Sequence, residues 1–118
     1  MTTIIEKKPV CTVINVFTVK PERQQELLDV LAEATEEVIK HLPGFISANF
    51  HKSVDGVRIA NYAQWKNPEA LQAMLSHPLA SQHLKECREI ADHVDFHLYT
   101  VEHCYTAGDK AVSSPVVS

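Results

Sequence analysis

A chain of 118 residues with 45% hydrophobic side chains is the size of one ordinary domain and can bury a core. Its net charge of -4 excludes the basic patch that a phosphate-reading surface needs, so nucleic acid is not an expected partner. No apolar run approaches the roughly 20 residues that span a bilayer, and Met1 to Lys8 lacks the apolar segment of a signal peptide, so no membrane contact and a cytoplasmic location are expected.

Residues 1–9 read as a polar tail, 10–105 as one folded domain and 106–118 as a second tail, in which Val116-Val117 could dock on a partner. Val10 to Val19 is rich in β-branched residues and predicts a strand. Its faces, Val13, Asn15, Phe17, Val19 and Thr12, Ile14, Val16, Thr18, both carry apolar groups, so both are expected to be covered. Pro21-Glu22 opens a helix whose Leu27, Leu31, Ala34, Val38 and Leu42 recur at helical spacing, and Pro43-Gly44 stops it.

Phe45 to Ser53 and Val57 to Lys66 predict two strands around the turn Val54-Asp55-Gly56. Whether that loop counts two residues or three decides whether Ala48 and Phe50, or Asn49 and His51, share the face of Asn61. Asn67-Pro68 opens a helix with Leu71, Met74 and Leu75 on its apolar face. After His77-Pro78, a second segment from Leu79 to Asp92 carries Ala80, His83, Leu84, Cys87, Ile90 and Ala91 on one stripe, with Lys85 and Arg88 opposite. Val94 to Tyr105 predicts the last strand. Cys11, Cys87 and Cys104 have no paired spacing and read as small apolar residues, while the seven histidines lack metal-ligand spacing.

Strand, helix, strand, strand, interrupted helix, strand predicts an α+β, ferredoxin-like four-stranded antiparallel sheet with helices on one face. The other face is too apolar to stay in water, which predicts a homodimer of two sheets, a dimeric α+β barrel. The strand face Val57, Ile59, Asn61, Ala63, Trp65 is the more apolar of its two and belongs under the helices. Asn15 and His83 can converge on it. These polar groups are either a satisfied network within a core or the lining of a pocket.

The segments Pro43-Gly44-Phe45, Ser47-Ala48, His51, Ser53, Asp55-Gly56 and Asn61-Tyr62-Ala63-Gln64-Trp65 resemble the antibiotic biosynthesis monooxygenase family, and the resemblance covers Val10 to about Val101. It is closest to the cofactor-free anthrone- and quinone-forming monooxygenases of aromatic polyketide pathways. It implies a dimeric barrel, a cavity between sheet and helices in each subunit, and oxidation of a phenolic or anthrone-type aromatic substrate to a quinone by molecular oxygen without a cofactor or metal.

Asn61 and Trp65 match the family's active-site residues on this strand, and both are suitable donors to a substrate oxygen. His83 is the expected base by its place on the helical stripe, with His51 second if the hairpin register turns it inward. Asn15, Phe17, Ile59, Leu71 and His51 are the expected substrate contacts. Leu71 stands where the polyketide enzymes carry a tyrosine, and their helical arginine falls on Lys85 or, with the prolines around Pro78 aligned, on Leu84. Two alternatives remain: haem binding or degradation, with Asn15 and His83 near the Asn and His of haem-degrading relatives, and a non-catalytic barrel that binds a small ligand.

Overall fold

The β-branched run that begins the domain pairs on both sides and so becomes the centre of the sheet. In the computed structural model, residues 10–108 are described, together with the backbone of residues 2–3 and 116–117. A short strand, β1 (Thr2–Thr3), is followed by β2 (Cys11–Thr18), α1 (Gln24–Glu37), β3 (Phe45–Lys52), β4 (Arg58–Trp65), α2 (Pro68–Ser76), α3 (Pro78–Ile90), β5 (His93–Tyr99) and β6 (Val116–Val117). The main sheet has the antiparallel order β3-β4-β2-β5, the ferredoxin-like arrangement, with β1 and β6 paired to each other. Among the described residues no helix is long and apolar enough to cross a membrane.

The helices cover the face that carries Val13, Phe17, Ile59, Ala63 and Trp65, all buried. Near one end, Phe17, Val19 and Ile59 pack with Leu27 and Leu31 of α1 and Cys87 and Ile90 of α3. At the other, Cys11, Val13, Ala63 and Trp65 meet Leu71, Met74 and Ala80. Buried Gln24, at the start of α1, donates to the carbonyls of Ser53 (3.2 Å) and Arg58 (2.9 Å), which fastens the helix to the β3–β4 hairpin. Asn67 caps α2 by accepting from the Ala70 N–H at 2.8 Å, and His77 caps α3 by accepting at Nδ1 from the Leu79 N–H at 3.2 Å.

Four expectations need correction. The first helix closes at Glu37 and continues as a tighter 3-10 turn, Ile39–His41, which turns Ile39 toward the sheet. The hairpin loop has four residues, 54–57, closed by the Ser53 N–H on the Arg58 carbonyl at 3.0 Å. Neither two nor three residues is the count, and the resulting register sets Phe50 opposite Asn61 and His51 opposite Ala60, so that Ala48 and Phe50 share the face of Asn61. The last strand stops at Tyr99, opposite Thr12, because β2 begins one residue before Thr12 and leaves the chain beyond with almost nothing to pair with.

The outer face of the sheet is also not bare. Thr12 and Gln64 are each only 2% exposed there, and their side chains are joined by a 3.3 Å hydrogen bond. On the same face the Tyr62 phenol is pushed up by burial and by the nearby Cys104 thiol.

Candidate active site

Cross-strand pairing decides which side chains meet on the inner face. Asn61 of β4 stands directly opposite Asn15 of β2, flanked by Phe50 of β3 on one side and Phe96 of β5 on the other. Directly opposed residues have Cβ atoms about 5 Å apart, so the two amides form a polar pair between two phenylalanines. The next row toward Trp65 is Ala48, Ala63 and Val13. These small side chains leave space between the amide row and the tryptophan.

A bulge between Phe45 and Ser47 shapes the end of that space. It brings Phe45 opposite Trp65, and their rings meet edge to face at 5.4 Å and 87°. Just before it, Gly44 takes φ 85°, and a methyl group there would overlap the Cβ of Ala70. Glycine thus lets α2 approach the sheet closely enough for Leu71 and Met74 to close the top.

The result is a cavity of about 360 Å³ between sheet and helices. Its floor holds Asn15, Phe17, Phe50, Asn61 and Trp65, and its roof includes Leu31, Thr35, Leu71, Met74 and Leu84. Arg88 and Phe96 belong to the wall and are also exposed, so the cavity reaches solvent between α3 and β5.

The few polar atoms in this wall are largely unpaired. The Asn61 carbonyl oxygen accepts the Asn49 backbone N–H at 3.3 Å, which fixes the amide orientation and leaves its NH₂ as a donor without a partner among the described residues. The Trp65 indole N–H likewise makes no hydrogen bond among the described residues, although the residue is only 2% exposed. The Oδ1 of Asn15 is buried and has no donor. The Asn15 NH₂ is likewise unpaired among the described residues. Leaving a buried polar group such as Asn15 Oδ1 without a partner costs about 1–3 kcal/mol, and together with the unpaired donors of Asn15, Asn61 and Trp65 it makes an apolar cavity organised for a polar ligand.

Of the expected contacts, Asn15, Phe17, Asn61, Trp65 and Leu71 come together in this wall. Three do not. Ile59 is fully buried in the core formed with α1 and α3, beyond the end of the cavity. His51 points to the outer face, because the hairpin register sets it against Ala60. His83 is half-buried but does not line the cavity. One residue turns a helix by about 100°, so with Leu84 facing the cavity, His83 falls on the flank shared with Cys87 and Ile90.

The expected base is thus absent from the wall, as is the histidine on which the haem alternative depended. Among the described residues no His, Asp, Glu or Lys takes its place in the lining. Among the described residues no three His, Cys, Asp or Glu side chains are grouped to hold a metal ion.

Arg88 is the charged wall residue that sequence reasoning placed away from the cavity. It lies one helical turn beyond Leu84, and that i,i+4 spacing places it at the border of the apolar stripe. Reading the stripe as wider by one position would have found it. Lys85 does not line the cavity, whereas Leu84 does.

Residues 11–89, from the start of β2 into the last turn of α3, match the family model described as antibiotic biosynthesis monooxygenase. The chain belongs to that family. It is 44% identical over 91 residues to tetracenomycin-F1 monooxygenase of Streptomyces glaucescens, across 77% of this chain and 81% of the relative. Among solved structures it resembles the monooxygenase from the gene ActVA-Orf6 of Streptomyces coelicolor in complex with nanaomycin D. That match has a TM-score of 0.75 and 23% identity, over 83% of this chain and 92% of the other. It also resembles SnoaB from Streptomyces nogalater, a cofactor-independent oxygenase, with a TM-score of 0.72 and 22% identity over 86% of this chain and all of the other. The protein is an enzyme of the antibiotic biosynthesis monooxygenase family, and β2 and β4, which carry the amide pair and Trp65, lie within the matched residues.

Proposed function

We propose that the protein is a cofactor-independent monooxygenase that oxidises an anthrone-type or phenolic aromatic carbon to the quinone with molecular oxygen. The observation that carries this reading is the Asn15–Asn61 pair beside Trp65, whose donors and the buried Asn15 Oδ1 have no partners among the described residues in an otherwise largely apolar cavity. The tetracenomycin-F1 monooxygenase relative and the cofactor-independent oxygenase of similar fold support it.

The substrate carbon loses a proton to give an enolate, which passes one electron to oxygen. The resulting radical and superoxide combine to form a carbon–oxygen bond, and the peroxide takes up a proton. Loss of water, with removal of the second proton on carbon, leaves the carbonyl. One atom of O₂ enters the quinone, and the other leaves as water.

The residues act on the first step and on water. The Asn61 NH₂ and Trp65 indole N–H donate to the substrate oxygen as it becomes an enolate, and one such donor is worth about 3 kcal/mol. Asn15 Oδ1 accepts from a second hydroxyl and fixes the ring. Phe50 and Phe96 offer faces and edges to the aromatic skeleton, while Leu71, Met74 and Leu84 keep bulk water from the carbanion. With no histidine or carboxylate in the wall, the proton leaves to solvent at the mouth, and the donors supply the driving force by lowering the substrate's own pKa.

An oxygen electrode tests the reading: metal-free protein consumes one O₂ per anthrone oxidised, and labelled oxygen enters the anthraquinone. No uptake across anthrone and reduced naphthoquinones would overturn it. The same reading pairs two chains through the outer face, where Ile14, Val16, Ala60 and Tyr62 are half-buried within one chain. Sedimentation at twice the chain mass, lost in Ile14→Glu, is the expected result; a monomeric wild type would contradict it.

A further inference from the structure

We propose that Met74 is an oxidation site built into the cavity: an aromatic hydroperoxide held there transfers one oxygen atom to the thioether, and the sulfoxide then closes the site to substrate. This rests on the cavity being where the peroxide forms. The chain holds two methionines, Met1 and Met74, and Met74 belongs to the cavity roof, 7% exposed and packed in one cluster with Val13, Ala63, Trp65 and Leu71. A methionine that fills a gap inside a core is common, but this thioether forms part of the wall across from the donors of Asn61 and Trp65. The cysteine sulfurs are placed differently. Cys11 and Cys87 are buried, and burial pushes both thiols up, which keeps them in the unreactive protonated form. Neither they nor Cys104 lines the cavity, so among the described residues its sulfur is that of Met74.

The peroxide on carbon ordinarily loses water. A thioether in the same wall offers a second route. Its sulfur lone pair attacks the terminal peroxide oxygen, an S–O bond forms as the O–O bond breaks, and the inner oxygen takes up the proton and stays on carbon as a hydroxyl. The sulfur is oxidised by two electrons, and the hydroperoxide is reduced to the alcohol. The product is a polar side chain where an apolar one stood. A sulfoxide oxygen is a strong acceptor, and beside Leu31, Leu71 and Leu84 of the roof it needs a partner. The cavity offers it the N–H groups of Asn15, Asn61 and Trp65, which are unpaired among the described residues. Three rotatable bonds let the side chain turn toward them, where its oxygen occupies the donors that a substrate oxygen needs.

The test treats the full chain with cumene hydroperoxide, an aromatic hydroperoxide small enough for a cavity of about 360 Å³, and maps added oxygen by peptide mass spectrometry. One oxygen is expected at Met74. It is expected to form about tenfold more slowly with 1,8-dihydroxyanthraquinone present at about ten times its Kd, because about a tenth of the sites then stay open. By quenching of the chain's single tryptophan, Trp65, the oxidised protein is expected to bind that anthraquinone about tenfold more weakly, the effect of losing one hydrogen bond. Met74→Leu is expected to bind it equally before and after treatment. No oxygen at Met74, oxidation that the anthraquinone does not slow, no quenching, unchanged affinity after oxidation, or the same loss of affinity in treated Met74→Leu would each overturn the proposal. Because the hydroperoxide is supplied from outside, oxidation and closure without oxygen uptake with anthrone would uphold the role of Met74 and count against the catalytic reading alone. Oxygen uptake with Met74 untouched by cumene hydroperoxide would do the reverse.

Discussion

Asn61 and Gln64 stand three residues apart on β4 and carry the same carboxamide, yet their surroundings are opposite. Gln64 faces the outer side of the sheet, is 2% exposed, and donates to Thr12. Asn61 faces the cavity, its oxygen held by a backbone N–H and its NH₂ left over. One amide spends its donor on the fold, and the other keeps its donor for a ligand. Polarity alone therefore does not mark a site on this sheet; what marks it is a polar group that the fold holds in place and leaves unpaired. The outer face has an exception, the buried Ser47 hydroxyl at the bulge, which has no partner among the described residues.

The largest effect that separates the faces is expected at the cover of the inner one. Gly44→Ala must adopt a left-handed backbone, at about 1–2 kcal/mol, and push against Ala70, at about 1–3 kcal/mol. Denaturant unfolding is expected to show a loss of about 2–5 kcal/mol, and an unchanged midpoint would mean that α2 does not sit as described. Trp65→Phe retains most of the buried ring but removes the N–H, so kcat with anthrone is expected to fall about a hundredfold, as for loss of one donor to a developing oxyanion. A change below threefold would move the donor role elsewhere.

On the outer face, Gln64→Ala leaves the Thr12 hydroxyl buried and unpaired and is expected to cost about 1–3 kcal/mol of stability with kcat per folded molecule unchanged. A fall in kcat would join the two faces that the structure separates.

Smaller effects concern titration. Burial pushes the Cys87 thiol, beneath the sheet-facing side of α3, from the ordinary 9.0 up to about 11. A group whose native pKa is raised contributes stability that is fully present below 9.0 and lost as pH rises through about 11, because the unfolded chain releases its proton first. Denaturation midpoints are expected to fall across that window, and to do so less in Cys87→Ala. His83→Ala is expected to leave kcat within about twofold. A loss of about a hundredfold or more would restore the histidine as base.

The fold was legible because its signals are local. Proline and glycine marked the turns, periodicity marked the faces, and the alternation along β4 put Asn61 with Trp65 and Tyr62 with Gln64 on opposite sides. The site was legible only in part, because it depends on register and on helix rotation. His51 turned on the loop length of one hairpin, which an Asp-Gly signal does not fix. His83 and Arg88 turned on the edges of one apolar stripe, where a residue's place differs by about 100° from its neighbour's. Ile59 has the alternation of a lining residue but lies where α1 and α3 close on the sheet, and no pattern within β4 records the length of the helices above it.

The most direct measurement compares Asn61→Ala with Gln64→Ala in one oxygen-uptake assay with anthrone, each corrected for its folded fraction. Equal or unchanged kcat values in the two variants would contradict the account; it predicts a loss of about a hundredfold or more in Asn61→Ala and none in Gln64→Ala.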